Sequence, residues 1–310
     1  MNFPPLTPNP VFNITRASHV VLGVRDLAKS KIFYCDMMGF VATAEENETL
    51  YLRGLEEGCH HSLTLRRSDE PGCMRLGMRV QTDADLEPLK AHFEKHGLPA
   101  EFVEVAHQKR TLHATDPVGT LLEFCASMET RPRLILKMKH HHGACPMRLD
   151  HYQVFTSDVP RALAFYMEMG FRVSEYIVRD NTDDLFMVFL HRKWNPHDIV
   201  FTESPGPRLH HIAFTSPESY HLFHLCDMAA SFGFGDLVEY GPGRHFGPGY
   251  AQFVYIRDPD GHRIECFNNH YQTMDIEDEP VRFNMSDTYG PNVWGPDRPE
   301  TWRKEGSPIK

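Results

Sequence analysis

Three side chains in the second half of this 310-residue chain could together hold a metal ion. They are His151 in R-L-D-H-Y-Q-V-F, His211 in P-R-L-H-H-I-A-F and Glu265 in D-P-D-G-H-R-I-E-C-F. A glutamate that follows a D-P-D-G turn into a β-prone run is by default a solvated strand residue, so Glu265 alone says little. Two neutral imidazoles and one carboxylate on one face say more. They would fill three adjacent positions around a divalent ion and leave three open, which suits Fe(II) or Mn(II) holding a substrate and dioxygen side by side. Structural zinc would prefer four ligands with cysteine among them. The 20 histidines are the unusual count in the composition, and position has to separate ligands from surface residues.

An internal repeat supplies the elements that must position these groups. S-H-V-V-L-G-V-R-D-L-A-K-S-K-I-F-Y-C-D-M-M-G-F (18–40) parallels D-H-Y-Q-V-F-T-S-D-V-P-R-A-L-A-F-Y-M-E-M-G-F (150–171). Each copy gives a histidine, an apolar strand, an aspartate, an amphipathic helix and Gly-Phe. In the second copy Asp158 can cap the helix, Pro160 falls in its first turn, and Leu163, Tyr166 and Met167 recur at helical spacing. D-P-V-G-T-L-L-E-F-C (116–125) likewise parallels 258–267. The chain therefore reads as two similar halves, about 10–128 and 147–270. Each splits again into strand–helix–strands sections beginning near 18, 73, 149 and 208, with Gly-containing turns between them.

In the first half His19 and Glu123 stand where His151 and Glu265 stand in the second, and the third ligand's place is read as Gly77 in M-R-L-G-M-R-V. Two ligands of three hold an ion poorly. The first half is therefore expected to be metal-free, with His19 a strand-end remnant. The basic segment 129–146 is expected to connect the halves. Its run His140, His141 and His142 should be solvated, because three adjacent side chains cannot all face one ion. After 270, Pro, Asp and Trp without periodicity give a tail, 271–310, wrapped over the second half and covering its site.

Composition bounds the remaining possibilities. A formal net charge of -10 argues against nucleic acid or an anionic membrane as partner. No apolar run is long enough to span a bilayer, and M-N-F-P-P-L-T-P-N-P lacks the regions of a signal peptide. The seven cysteines form neither C-x-x-C nor an even framework. These features point to reduced thiols in a cytoplasm.

Six stretches then fall in order along the second half: L-D-H-Y, G-F-R-V-S-E, H-R-K-W-N-P-H-D, P-R-L-H-H-I-A-F, G-P-G-R-H and D-P-D-G-H-R-I-E. Through them the chain resembles the type I extradiol catechol dioxygenases of the vicinal-oxygen-chelate superfamily. It is nearest the homoprotocatechuate (3,4-dihydroxyphenylacetate) 2,3-dioxygenase branch, over roughly 15–285 and most strongly over 149–268. The resemblance implies an α+β fold of two similar domains, each of paired βαβββ modules. Fe(II), or Mn(II) on the same ligands, would sit in the C-terminal domain on His151, His211 and Glu265. A catechol and dioxygen would be the partners, and the assembly a homo-oligomer, a tetramer by family likeness. His197 in P-H-D-I-V-F matches the acid–base histidine beside the oxygen position, a task that suits a group titrating near the operating pH. His245 and Tyr255 match residues that hydrogen-bond the substrate or its intermediates.

Neighbouring residues are expected to stay outside the ligand set. His210 should alternate onto the strand face opposite His211, packing or supporting, and Cys266 should point away from the face of Glu265. His191 and His262 are expected not to be ligands. Tyr255 is expected to share the neighbourhood of Glu265 only through the intervening turn.

The chain departs from the branch where the substrate's carboxylate would be paired. The branch has an arginine just before G-P-G-R-H; here that residue is Tyr240. The tail stretch S-D-T-Y-G-P-N-V-W-G-P (286–296) holds none either, which leaves Arg244 and Arg298 as candidates. Beside the acid–base histidine the branch has an aromatic, here Phe189 or Trp194. Because a buried carboxylate without a cation is costly, the expected substrate is catechol or a neutral, alkyl-, aryl- or halogen-substituted catechol, with 3,4-dihydroxyphenylacetate the alternative. Glyoxalase-like isomerases and metal-free aromatic-binding proteins share the modules. The binding proteins predict no intact triad. The isomerases commonly draw ligands from both domains or chains and add a second glutamate.

Overall fold

The computed structural model describes residues 3–288 and 292–310, so part of the 286–296 stretch lies outside the described residues. The first half has two modules. One is β1 (Ile14–Val24), α1 (Leu27–Lys31), β2 (Val41–Glu46), β3 (Thr49–Arg53) and β4 (Leu63–Arg67). The other is β5 (Gly72–Val80), α2 (Leu86–Lys95), β6 (Ala100–Val103), β7 (Thr111–Thr115) and β8 (Leu121–Cys125). The second half repeats the plan. Its first module is β9 (Leu149–Thr156), α3 (Val159–Glu168), β10 (Arg172–Val178), β11 (Leu185–His191) and β12 (Ile199–Glu203). Its second is β13 (Arg208–Thr215), α4 (Ser219–Ser231), β14 (Val238–Arg244), β15 (Gln252–Arg257) and β16 (Arg263–Asn268). In every module the first strand runs parallel to the last, the helix making the crossover such a pair needs. The two modules of a half join antiparallel, β1 with β5 and β9 with β13. This is the α+β arrangement of paired βαβββ modules that the resemblance implies, and its four sections are those read from the repeat. Among the described residues no helix is long and apolar enough to cross a membrane.

Local chemistry explains the elements. Asp158 caps α3 by accepting from the Arg161 amide at 3.0 Å, and Val159, Ala162, Leu163, Tyr166 and Met167 bury the inner stripe of that helix. The central strands β9, β13 and β16 are buried on both faces. On one face Tyr152, Val154, Ile212, Phe214, Ile264 and Cys266 enter the large core shared by both halves. On the other, Ala213 and Phe267 line a concave surface together with Tyr255 and Trp302. Cys266 thus points away from the face of Glu265, as the two-residue period requires.

The halves are locked by a reciprocal exchange. Asp116 and Asp258 each close their own D-P-x-G turn, through the amides of Val118 and Thr120 and of Asp260 and His262. Each also accepts a buried tyrosine hydroxyl from the other half, Tyr166 to Asp116 at 3.2 Å and Tyr34 to Asp258 at 2.9 Å. His262 bridges the Ser307 hydroxyl and the Gly23 carbonyl, a structural use that keeps it out of any ligand set. His191 bonds the Lys193 carbonyl.

Two expectations need correction. His19 lies within β1, fully buried, rather than at a strand end. The connector histidines are half-buried and docked, His141 on the Ile135 carbonyl and His142 on that of Cys35, because the segment must satisfy backbone acceptors as it crosses the surface.

The tail adds β17 (Val281–Asn284), parallel to β10, then a short helix Thr301–Lys304, and β18 (Ser307–Pro308) against β13. An ion cluster ties the short helix down. Glu239 takes two hydrogen bonds each from Arg257 and the fully buried Arg263, and a fifth from the Thr301 hydroxyl. Burial alone would raise the Glu239 carboxyl, but the two guanidiniums hold it down at about 2. A depressed folded-state pKa stabilises the fold fully above the unfolded value of ~4.3, and that contribution is lost as pH falls towards 2. Glu239→Gln would leave Arg263 buried without its counter-charge, which typically costs about 3–5 kcal/mol. We expect lower urea stability, faster tryptic cleavage after Arg303 and Lys304, and a flatter pH dependence of stability below ~4.3; unchanged cleavage would show that the cluster does not hold the tail.

Candidate metal centre

Register builds the triad around a small residue. Ala213 of β13 lies across from His151 of β9 on one side and from Glu265 of β16 on the other. His211 is two residues before Ala213 and shares its face. Three positions thus surround a pit floored by the Ala213 methyl group. The donor atoms converge there: His151 Nε2 and His211 Nε2 are each 3.2 Å from Glu265 Oε2, and 3.3 Å from one another. Ligands about 2.2 Å from a common ion and at right angles around it lie about 3.1 Å apart. The triangle therefore fits one face of an octahedron.

The tautomers fit as well. His151 Nδ1 donates to Asp150 Oδ2 at 2.9 Å, and Asp150 is held in turn by the Asn195 amide. His211 is set by a longer chain. His210 Nε2 faces the Trp302 carbonyl at 2.9 Å and must donate to it. Burial keeps His210 well below the usual histidine range and hence neutral, so its Nδ1 accepts from His211 Nδ1 at 2.7 Å. His211, itself lowered to about 4 by burial, is left with a lone pair on Nε2. Glu265 stays ionised: burial would raise its pKa, but His151, His211 and His245 together hold it well below the carboxylate range. Without an ion these contacts share protons, since burial would lower His151 but Asp150 and Glu265 raise it; with both Nε2 atoms deprotonated, three acceptors would face each other around a space that a cation fills. The residues present fit Fe(II) or Mn(II).

His210 corrects an expectation. A bulge between Leu209 and His211 breaks the alternation, so the two imidazoles meet rather than facing opposite ways. Tyr255 corrects another. It pairs directly with Glu265 across the β15–β16 hairpin, not merely through the turn.

The triad opens into a pocket whose lining mixes polar groups with Ile177, Met187, Phe189 and Val200. His197 lines it, its ring 4.1 Å from that of His151 and 5.2 Å from that of Phe189. Phe189 is thus the aromatic beside it, while Trp194 is largely exposed. Burial, then the charges of His151 and His270, hold His197 well below the usual range, and its Nδ1 has no hydrogen-bond partner. His245 Nε2 lies 3.1 Å from the Tyr255 hydroxyl and 3.5 Å from Glu265 Oε1. The structure thus brings all six expected site residues to one cavity. It adds His270, Gln153 and Trp302, which the sequence did not signal, and Arg298. Of the two arginines left as candidates, Arg298 reaches the lining and hydrogen-bonds Tyr240. Arg244 instead bonds the Tyr250 carbonyl and lies over its ring.

The first half shows what the same frame does without a triad. Gly77 lies across from both His19 and Glu123, so it corresponds to Ala213 and not to His211. The place of His211 is taken by Arg75, two residues earlier on the same strand face. A Cβ at Gly77 would stand 2.1 Å from the His19 ring. Lacking it, His19 leans across and bonds Glu123 directly at 2.7 Å, and Glu123 is also bonded by His113 and Gln108.

The family profile of the Glyoxalase/Bleomycin resistance protein/Dioxygenase superfamily matches residues 16–124 and 148–266. The chain is 28% identical over 318 residues to a metapyrocatechase of Geobacillus stearothermophilus, covering 97% of this chain and 95% of that one. It is 26% identical to a manganese-dependent 2,3-dihydroxybiphenyl 1,2-dioxygenase of Geobacillus genomosp. 3, covering 96% and 97%. The crystal structure of homoprotocatechuate 2,3-dioxygenase from Arthrobacter globiformis superposes with a TM-score of 0.93 at 34% identity, covering 99% and 96%.

Alanine in place of His151, His211 or Glu265 is expected to empty the site of metal with the fold retained, as read by elemental analysis and circular dichroism. His19→Ala and Glu123→Ala should leave the metal content near normal. Metal lost with His19 and kept with His151 would put the ion in the other half.

Proposed function

The chain belongs to the Glyoxalase/Bleomycin resistance protein/Dioxygenase superfamily, and from that premise we propose that His151, His211 and Glu265 hold the ion of an extradiol dioxygenase. The enzyme opens the ring of a catechol beside its two hydroxyls, using dioxygen and giving a muconic semialdehyde-type product. The observation that carries this is the triangle of three facing acceptors beside a histidine with an unpartnered nitrogen. When bound, Fe(II) or Mn(II) supplies adjacent positions at which catechol and dioxygen meet.

The protein's own groups do the rest. His197, neutral and buried, takes a proton from the catechol at a ring nitrogen and returns it to oxygen later in the cycle. His245 and the Tyr255 hydroxyl, 3.1 Å apart on the lining, are placed to hydrogen-bond the substrate. The indole of Trp302 packs on Tyr255 at 4.3 Å and helps exclude water. A glyoxalase-like isomerase or a binding protein would consume no oxygen. Oxygen uptake by apoprotein reloaded with Fe(II) or Mn(II), over a panel of catechols and with the yellow product followed, therefore tests the reading; metal-loaded protein that takes up no oxygen with any of them overturns it.

The substrate is read as catechol or a neutral substituted catechol, because Ile177, Met187, Phe189 and Val200 give the cavity an apolar wall. A second reading, 3,4-dihydroxyphenylacetate, is favoured by Arg298 on the lining. The division into 10–128, 147–270 and a tail 271–310 is supported by the separate sheets of the two halves. A homo-oligomer, a tetramer by family likeness, is supported by the exposed connector residues Ile135, Leu136 and Met138. A cytoplasmic setting is supported by seven unpaired cysteines.

Two outcomes are expected. His197→Phe should keep its metal and bind substrate yet turn over about 10²–10⁴-fold more slowly; normal turnover would remove His197 from the chemistry. Neutral catechols should show a higher kcat/KM than 3,4-dihydroxyphenylacetate, and Tyr240→Arg should narrow the gap. If the acid is preferred instead, Arg298→Gln should abolish that preference, about 10- to 150-fold for a charged hydrogen bond of about 1.5–3 kcal/mol.

A further inference from the structure

A second group of metal-ligating side chains lies where the two halves meet, away from the cavity. His92 is in α2, His96 follows it one turn later at the end of that helix, and Glu168 is the last residue of α3. Residues four apart on a helix share a face. One ligand atom from each of the three lies within 4.8 Å of the others. His96 Nε2 and Glu168 Oε2 are 3.0 Å apart, as two atoms about 2.1 Å from one ion would be at about a right angle.

We propose that His92, His96 and Glu168 form a second metal site, for a borderline divalent ion such as Zn(II), which clips the end of α2 to the end of α3.

Four further observations favour an ion. His92 Nε2 is buried and has no hydrogen-bond partner, so this group is incomplete with protein alone. The rings of His92 and His96 are tilted by 56° with centres 4.8 Å apart, so they are not stacked face to face. Phe12 and Phe165 wall the His92 ring at 5.4 and 5.2 Å, which keeps water from that side, whereas Glu168 and His96 are partly exposed and leave a way in. Finally, both helices end here, and the partial negative charge of their carbonyl ends favours a cation. Lys95 is the opposing charge beside His92, with the Glu168 carboxylate to offset it.

Imidazole with carboxylate suits zinc, copper or nickel, with water completing the coordination. Among the described residues, His151, His197 and His270 belong to the cavity already described, and the remaining cluster, His60, His107 and Glu129, does not serve. Its imidazoles stack face to face at 3.7 Å and 8°, so their in-plane lone pairs cannot meet on one ion.

The test uses the holoenzyme with its catalytic ion already in place. Equilibrium dialysis against Zn(II), with all metals counted by elemental analysis, should find one additional zinc per wild-type chain and none in His96→Gln or Glu168→Gln. Both substitutions are at partly exposed positions and should leave turnover unchanged. Free zinc at 100 times its Kd should shift the wild-type unfolding equilibrium about 100-fold and leave the variants' unmoved. Equal zinc uptake by wild type and both variants, or uptake matched by loss of iron or manganese, would overturn the proposal.

Discussion

Three acceptor atoms that face one another at 3.2 and 3.3 Å are the arrangement on which the second half depends. Lone pairs so disposed repel in the absence of a cation or a proton, so other interactions must hold them there. Asp150 orients His151, and His210 orients His211. His210 is in turn answerable to a carbonyl at Trp302, and Trp302 is pinned by Arg263 and Glu239. A residue far along the chain thus decides which nitrogen of His211 carries its proton. This gives the tail a chemical part beyond covering the site.

The first half contributes rigidity. Its strands share one core with the second, and the exchanged tyrosine–aspartate bonds make each half part of the other's turn structure. In its own pit the same geometry has been neutralised. His19, His113 and Gln108 satisfy Glu123 directly, and Arg75 supplies positive charge where the second half places a ligand.

Much of this was readable in the residues because the repeat, the D-P-x-G turns and the two-residue period are all local. They place His151, Glu265 and Cys266 on the correct faces without knowledge of pairing. The misreadings came where pairing matters. Tyr255 could have been placed by counting outward from the D-P-D-G turn, since a regular hairpin pairs residues equidistant from its centre. The bulge beside His210 carries no such mark, and neither does the register that sets Arg75, rather than Gly77, opposite its counterpart. His270, Arg298 and Trp302 come from chain without periodicity, where hydropathy gives no facing direction.

The pit floors, glycine in one half and alanine in the other, bear on how two copies of one ancestral module drift apart. Regaining an ion in the first half would require an imidazole at Arg75 and a methyl group at Gly77 to push His19 away from Glu123. Either change alone would be harmful: the first removes a counter-charge and the second drives an atom to 2.1 Å from a buried ring. Two coupled changes, not one, therefore separate the first pit from a three-ligand site.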